Sequence, residues 1–288
     1  MNIQSLSVCV PAPCANSCMF CVAHMTANDY VNQIEGNKRF TDLYKRDFKK
    51  RLLFARDNGC NTMMITSNGE PLLNREFLAN LGEWNDNLPN PFRWIELQTS
   101  GTKLDDEYLR FLRNTVGVNT ISLSLSSMCT DENATYNRSK ARFVTDIVTV
   151  CSEIKRYDFN LRLSLNMTDF FNQWTAEQIF ARGKELGANQ LTFRVLYESG
   201  MGLPEDVFVQ QHSASFECME RITDYVHSRG RELERLPFGA MKYSVDGMSV
   251  VVDQDCMSEA AGDAIKYLIL QPDCHLYSKW DDKGSLVF

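Results

Sequence analysis

An α/β fold, a partial (βα)6 TIM-like barrel with a C-terminal β-rich extension, is what this 288-residue sequence predicts. Three observations lead there. Short apolar runs alternate with longer segments whose apolar residues recur at helical spacing, and six such strand–helix units imply parallel strands with right-handed crossovers. Six units fall short of the eight in a closed barrel, so the sheet is expected to curve and stay open on one side. Past about Glu232 the alternation ends in a hairpin signal and further strand-like runs. The chain therefore divides into 1–231, the barrel, and 232–288, an extension expected to pack on it.

Ser5 to Val10 reads as the first strand. After a cysteine-rich run and a polar stretch through Asn37, a helix is expected from Thr41, with Tyr44, Phe48, Leu52 and Ala55 as its apolar stripe and Asn58-Gly59 as its end. Thr62 to Thr66 is a short buried strand, followed by a helix carrying Phe77, Leu78 and Leu81. Trp94 to Ser100 is a strand and Asp105 to Asn114 a helix. Val118 to Ser126 is a strand, and a helix from about Ser139 places Phe143, Ile147, Val150 and Ile154 on one side. Leu161 to Met167 is a strand before a helix capped near Thr175 and ended by Gly187. Gln190 to Tyr197 is the sixth strand, and its helix carries Phe216, Met219, Thr223 and Val226. In the extension, Asp246-Gly247 between two alternating runs, Met241 to Val245 and Met248 to Val252, is a strong hairpin signal. Ile265 to Leu270 and His275 to Trp280 read as further strands.

Strand side chains alternate faces. Helices must cover the apolar face, so the polar face, with Glu96, Gln98, Ser122, Ser124, Arg162, Ser164, Asn166, Thr192, Arg194 and Glu198, is expected to line a polar interior cavity. Arg162 and Arg194 would each cost about 3 to 5 kcal/mol if buried unpaired. Either Glu96 and Glu198 neutralise them or a ligand carboxylate or phosphate does, and pairing that leaves one Arg for ligand is the reading adopted.

A formal net charge of -7 and a pI near 5.2 argue against general nucleic-acid binding. No run is long enough to span a membrane, and Met1 to Val10 lacks the pattern of a signal peptide, so a cytoplasmic protein is expected. Seven of the cysteines are scattered singly (Cys9, Cys60, Cys129, Cys151, Cys218, Cys256 and Cys274), which does not suggest a disulfide framework.

The other three, Cys14, Cys18 and Cys21, are spaced C-x3-C-x2-C directly after the first strand. A [4Fe-4S] core usually takes four cysteines, so three leave one iron open to a small molecule. His24 extends the run to C-x3-C-x2-C-x2-H, and a structural zinc held by Cys14, Cys18, Cys21 and His24 is the other reading.

With Phe20 in the aromatic place, the run resembles the signature of the radical S-adenosylmethionine (radical SAM) superfamily. Further segments are similar in the same order. Ser67-Asn68-Gly69-Glu70-Pro71 after the second strand resembles the family's Gly-Gly-Glu-Pro motif, with Asn68 replacing a glycine. Thr99-Ser100-Gly101-Thr102 follows the third strand, Ser122 and Ser124 lie on a Ser-rich fourth strand with Tyr136-Asn137-Arg138 beyond it, and Asn166 is on the fifth. The resemblance implies a partial barrel with one [4Fe-4S] cluster on Cys14, Cys18 and Cys21. It also implies S-adenosylmethionine held by Phe20, Asn68, Gly69, Glu70, Pro71, Thr99, Ser122, Ser124 and Asn166, and a flavodoxin- or ferredoxin-type electron donor. One-electron cleavage would give a 5'-deoxyadenosyl radical that abstracts hydrogen from a polar, anionic small molecule.

Cys9, Arg162, Arg194 and Tyr197 are the candidate catalytic residues, with Cys9 a possible hydrogen-atom donor; Lys242 and Tyr243 are weaker candidates for reaching the cavity. The layout is closest to the branch containing the molybdopterin-precursor cyclase and the viperin enzymes, which favours a nucleotide-like substrate. A peptide-modifying enzyme is the alternative within the family.

Overall fold

The computed structural model describes residues 2–25, 42–236, 239–253, 264–280 and 282–288. The expected cap Thr41, the polar stretch through Asn37 and Cys256 lie outside the described residues.

Strand β1 (Asn2–Cys9) leads through an extended loop to the short helix α1 (Val22–Met25). Helix α2 (Asp42–Asp57), β2 (Thr62–Thr66), α3 (Arg75–Asp86), β3 (Trp94–Thr99) and α4 (Asp106–Phe111) follow. Then come β4 (Thr120–Leu125), α5 (Thr130–Tyr136), α6 (Ile147–Arg156), β5 (Asn160–Met167), α7 (Ala176–Glu185) and β6 (Gln190–Val195). The chain ends in α8 (Pro204–His212), α9 (Phe216–Arg229), β7 (Arg231–Arg235), β8 (Met241–Val245), β9 (Met248–Asp253), β10 (Ala264–Leu270) and β11 (Leu276–Tyr277).

Helix starts follow from their caps. Asn74, Asp105, Asp146 and Thr175 each accept a backbone N–H from the first turn of α3, α4, α6 and α7, and Gln178 returns a bond to the Thr175 backbone as a capping box. The apolar strand face carries Leu6, Val8, Ile65, Leu97, Ile121, Leu123, Leu163 and Phe193, all fully buried beneath helix residues such as Phe48, Trp84, Ile154 and Phe180. That shared burial is the core, and it forces the polar strand face inward.

The strands form one sheet in the order β11-β10-β1-β2-β3-β4-β5-β6-β9-β8-β7. Strands β1 to β6 run parallel and in sequence, as the alternation predicts. The extension does more than cover the barrel. Its β10 pairs parallel with β1, through Ile3↔Ile265 and Val8↔Leu270, and its β9 pairs parallel with β6, through Leu191↔Val250. Antiparallel β11 on one side and β8 and β7 on the other finish the two edges, and the sheet does not close on itself among the described residues.

The hairpin turns where expected: Asp246 and Gly247 have φ of 49° and 85°, the paired left-handed conformations of a type I′ turn. The helix expected from Ser139 is corrected. Residues Thr130–Tyr136 form α5 instead, Ala141–Phe143 make a single 3-10 turn, and α6 begins only at Ile147, where Asp146 caps it. Helix α8 was not anticipated, because Val207-Phe208-Val209 is a continuous run without helical spacing. Of His275 to Trp280, only Leu276–Tyr277 is strand.

Candidate active site

Three loops meet at the C-terminal ends of β1, β2 and β4. The loop after β1 carries the three cysteines, and a series of hydrogen bonds fastens it. Ser67 Oγ donates to Val10 O at 2.7 Å, Asn74 Nδ2 to Pro11 O at 2.7 Å and Glu70 N to Pro13 O at 2.9 Å. The backbones approach so closely that a Cβ on Gly69 would lie 2.3 Å from Ala12 O and 2.6 Å from Pro13 O, so only glycine fits. From the other side Ser17 N donates to Asn137 O at 3.0 Å, and Ser139 Oγ to Asn16 Oδ1 at 2.9 Å. Phe20 and Met25 are buried with Leu196 and Val209, anchoring the end of the loop on the region after β6.

The Cys18 thiol donates to both oxygens of Asn137, each at 3.6 Å. Burial, with Cys21 and Cys14 nearby, pushes it up to about 12. A thiol in that state ionises only with a cation at hand, which is the condition a metal core supplies. His24 turns elsewhere: its Nδ1 lies 3.7 Å from Glu205 Oε1 on α8. Among the described residues no three His, Cys, Asp or Glu side chains are grouped to hold a single metal ion.

Glu70 is the most enclosed acid of the site, 2% exposed. Its Oε1 accepts from Thr99 Oγ1 at 2.6 Å and Leu72 N at 3.2 Å, and its Oε2 from Ser100 N at 2.9 Å and Ser100 Oγ at 2.6 Å. Burial raises its pKa, and the four donors oppose the rise. Pro71 opens the 3-10 turn that Glu70 caps. A buried carboxylate whose hydrogen-bond donors are all uncharged suits a ligand that brings an ammonium group. The donor types fit the group that the cysteine motif implies: three unpaired thiols on one loop, with the buried Glu70 near Cys14.

Ser126 links the cysteine loop to β5. Its Oγ donates to Asn137 Oδ1 at 2.9 Å and accepts from Asn166 Nδ2 at 3.4 Å, while its backbone N–H donates to Asn133 Oδ1 at 2.8 Å. Ser122 is buried and Ser124 half-buried on β4 below it, and Asn68 lies in the loop after β2, directly before Gly69. Cys9 is buried at the end of β1, and burial pushes its thiol up to about 12 against the backbone N–H of Asn68. Tyr197 packs on the cluster that contains Phe20.

Below these loops the polar strand faces enclose a cavity of about 410 Å³. Arg162 Nη1 lies 2.6 Å from Glu96 Oε2 and its Nε donates to Gln190 Oε1 at 2.8 Å, so the first arginine is neutralised within the protein. Glu198 does not serve the second: it lies beyond β6, exposed, and accepts from Gln210 Nε2. Arg194 makes no hydrogen bond or ion pair among the described residues, and its Nε is enclosed. Lys242 lines the cavity with Glu234 at 3.8 Å, whereas Tyr243 packs outward beside His227.

Sequence reasoning named Ser126 at the end of the fourth strand and Asn137 in a motif segment without foreseeing the bonds that join them, and it missed Asn133. Asn133 lies on α5 and Asn137, four residues on, is its C-cap, a signal that needs the unanticipated helix before it can be read. It also missed a polar group at the rim, where Tyr136 Oη donates to Asp169 Oδ1 and His212 Nδ1 lies 3.0 Å from Asp169 Oδ2.

Residues 11–180 match the family model described as Radical SAM superfamily. No curated protein gives a significant match. Native anSMEcpe with bound AdoMet superposes with a TM-score of 0.53 at 19% identity, over 78% of this chain and 61% of that one. Native anSMEcpe with bound AdoMet and Kp18Cys peptide gives 0.59 at 13% identity, over 96% of this chain and 74% of that one. These identities establish a shared fold, and the chain spans 61% of the length of the first of the two.

Proposed function

Because the chain belongs to the radical SAM superfamily, we propose that it is an enzyme that reductively cleaves S-adenosylmethionine at one [4Fe-4S] cluster and abstracts hydrogen from a polar, anionic small molecule, nucleotide-like by preference. The observation that carries this reading is the joining of three separate motif segments in one place. Gly69-Glu70 is bonded to Pro13, and Asn137 to Ser17 and Cys18, so residues far apart in sequence surround the cysteine loop.

In this reading Cys14, Cys18 and Cys21 would hold the cluster, and Phe20, packed with Leu196 and Val209, would fix the end of their loop. Glu70, which here accepts from Thr99 and Ser100, would take the ammonium of S-adenosylmethionine, with Gly69, Asn68 and Pro71 shaping the turn. Ser122, Ser124 and Asn166 face the rest of the cofactor. When bound, the cluster and S-adenosylmethionine supply a 5'-deoxyadenosyl radical after one-electron reduction by a flavodoxin- or ferredoxin-type donor. Arg194 orients the substrate anion, Arg162 stays with Glu96 as a positioning group, Cys9 keeps its proton and stands as a hydrogen-atom donor, and Tyr197 borders the Phe20 side.

Peptide modification is a second reading, favoured by the likeness to anSMEcpe, whose structure holds a peptide. The zinc reading lacks support, because His24 faces Glu205.

The test is anaerobic purification, reconstitution with iron and sulfide, reduction, and assay for 5'-deoxyadenosine. Product from the wild type and none from Cys18→Ala is the expected result. Zinc bound in place of iron, with no cleavage in a fully reduced sample, would sink the proposal.

A further inference from the structure

The cavity under the site is walled by both edges of the open sheet. Lys242 on β8 lines it from one edge, and Lys266 and Tyr267 on β10, with Trp280 beyond β11, line it from the other. Its charge runs against that of the chain. Among the described residues four basic side chains line it against two acids, Glu96 and Glu234, in a protein of net charge -7. Arg162 and Lys242 pair with those two acids. Arg194 makes no ion pair with a described side chain and its Nε is enclosed without a partner; it stands between Asn166 and Asp253 in the β5–β6 and β6–β9 ladders, at the end toward the cysteine loops. A guanidinium enclosed in this way calls for an anion, and its planar fork suits phosphate or carboxylate.

Two further features narrow the ligand. Tyr267 and Trp280 stand with ring centroids 6.2 Å apart and planes at 52°, a half-buried aromatic corner facing the cavity. Gln4 Oε1, on β1 next to Ser5, the ladder partner of Tyr267, is enclosed and accepts no hydrogen bond among the described residues. An aromatic corner beside a spare acceptor matches a heterocycle that offers an N–H. A volume of about 410 Å³ lies in the range of small-molecule pockets, about 300 to 1,000 Å³.

We propose that this cavity binds a nucleoside phosphate, with the phosphate on Arg194 and the base against Tyr267, Trp280 and Gln4, admitted between the two edges of the sheet. The assignment rests on reading the barrel interior as the substrate chamber. It makes the extension, through β8, β10 and Trp280, a specificity element for the substrate.

The test is isothermal titration of the metal-free full chain with AMP, GMP, CMP and UMP, each beside its own nucleoside and inorganic phosphate. At least one nucleotide is expected to bind tenfold or more tightly than either fragment. Arg194→Gln should abolish the advantage over the nucleoside, and Trp280→Leu the advantage over inorganic phosphate. If Arg194→Gln fails to fold, as judged by its melting curve, Trp280→Leu at the half-buried rim still decides the matter. A wild type with no nucleotide preference, or a preference that survives both substitutions, overturns the proposal. So does one-for-one displacement of nucleotide by S-adenosylmethionine, which would give Arg194 to the cofactor's own carboxylate. The 5'-deoxyadenosine assay separates the two readings: cleavage without nucleotide binding sinks only this inference, and nucleotide binding without cleavage sinks only the radical chemistry.

Discussion

At Glu70 the sequence shows an acid after a glycine, and the fold turns it into a buried anion satisfied by four neutral donors. Burial raises its pKa. The sign follows: a carboxyl with a raised folded pKa favours the folded state most below its ordinary pKa, and that stability is lost as pH rises through the raised value. Metal-free wild type should therefore lose unfolding free energy more steeply than Glu70→Gln as pH rises above the ordinary carboxyl range, as measured by urea denaturation at several pH values. Saturating S-adenosylmethionine should flatten the wild-type slope and leave the variant unchanged. Equal slopes without ligand would show that Glu70 carries no such burden. Gly69 next to it was legible as a motif residue, but the reason for the glycine, a backbone 2.3 Å from where its Cβ would be, exists only once two loops distant in sequence are folded together.

At the scale of elements, the strands β2 to β6 were legible because each is a short apolar run with period two, bounded by turn residues. The caps of α6 and α7 show what was readable and what was not. Thr175 with Gln178 forms the anticipated start, whereas Asp146 was overlooked because Phe143 continued a helical spacing that the backbone does not follow. Hairpin pairing of β8 with β9 could be read from Asp246-Gly247, since the partners are neighbours in sequence. The pairing of β10 with β1 could not, because nothing local in Ala264–Leu270 names a partner more than 250 residues away. If β10 belongs to the core, Leu268→Ala, at a fully buried position, should cost about 2 to 5 kcal/mol in chemical denaturation. Val148→Ala, at an exposed position on α6, should cost less than about 0.5 kcal/mol. A cost at Leu268 no larger than at Val148 would detach the extension from the core.

For the whole molecule, the same sheet carries strands from both ends of the chain, so β1 is held between β10 and β2. Calorimetry of the metal-free protein should therefore show the extension and the barrel unfolding in one transition, with the calorimetric and van't Hoff enthalpies in agreement. Two separated transitions would mean that residues 232–288 fold as a unit of their own. The sequence by itself determined the α/β class, the order of β1 to β6, the cysteine loop and the motifs after β2 to β5, because periodicity, capping and motif spacing are local properties of the chain. Only the tertiary structure decided that the extension completes both edges of the sheet, that Glu96 neutralises Arg162, and that Glu198 turns to Gln210 instead of pairing with Arg194. Those outcomes depend on register and on which side chains share an enclosed, low-dielectric space, and such neighbours are chosen by global packing, not by distance along the sequence.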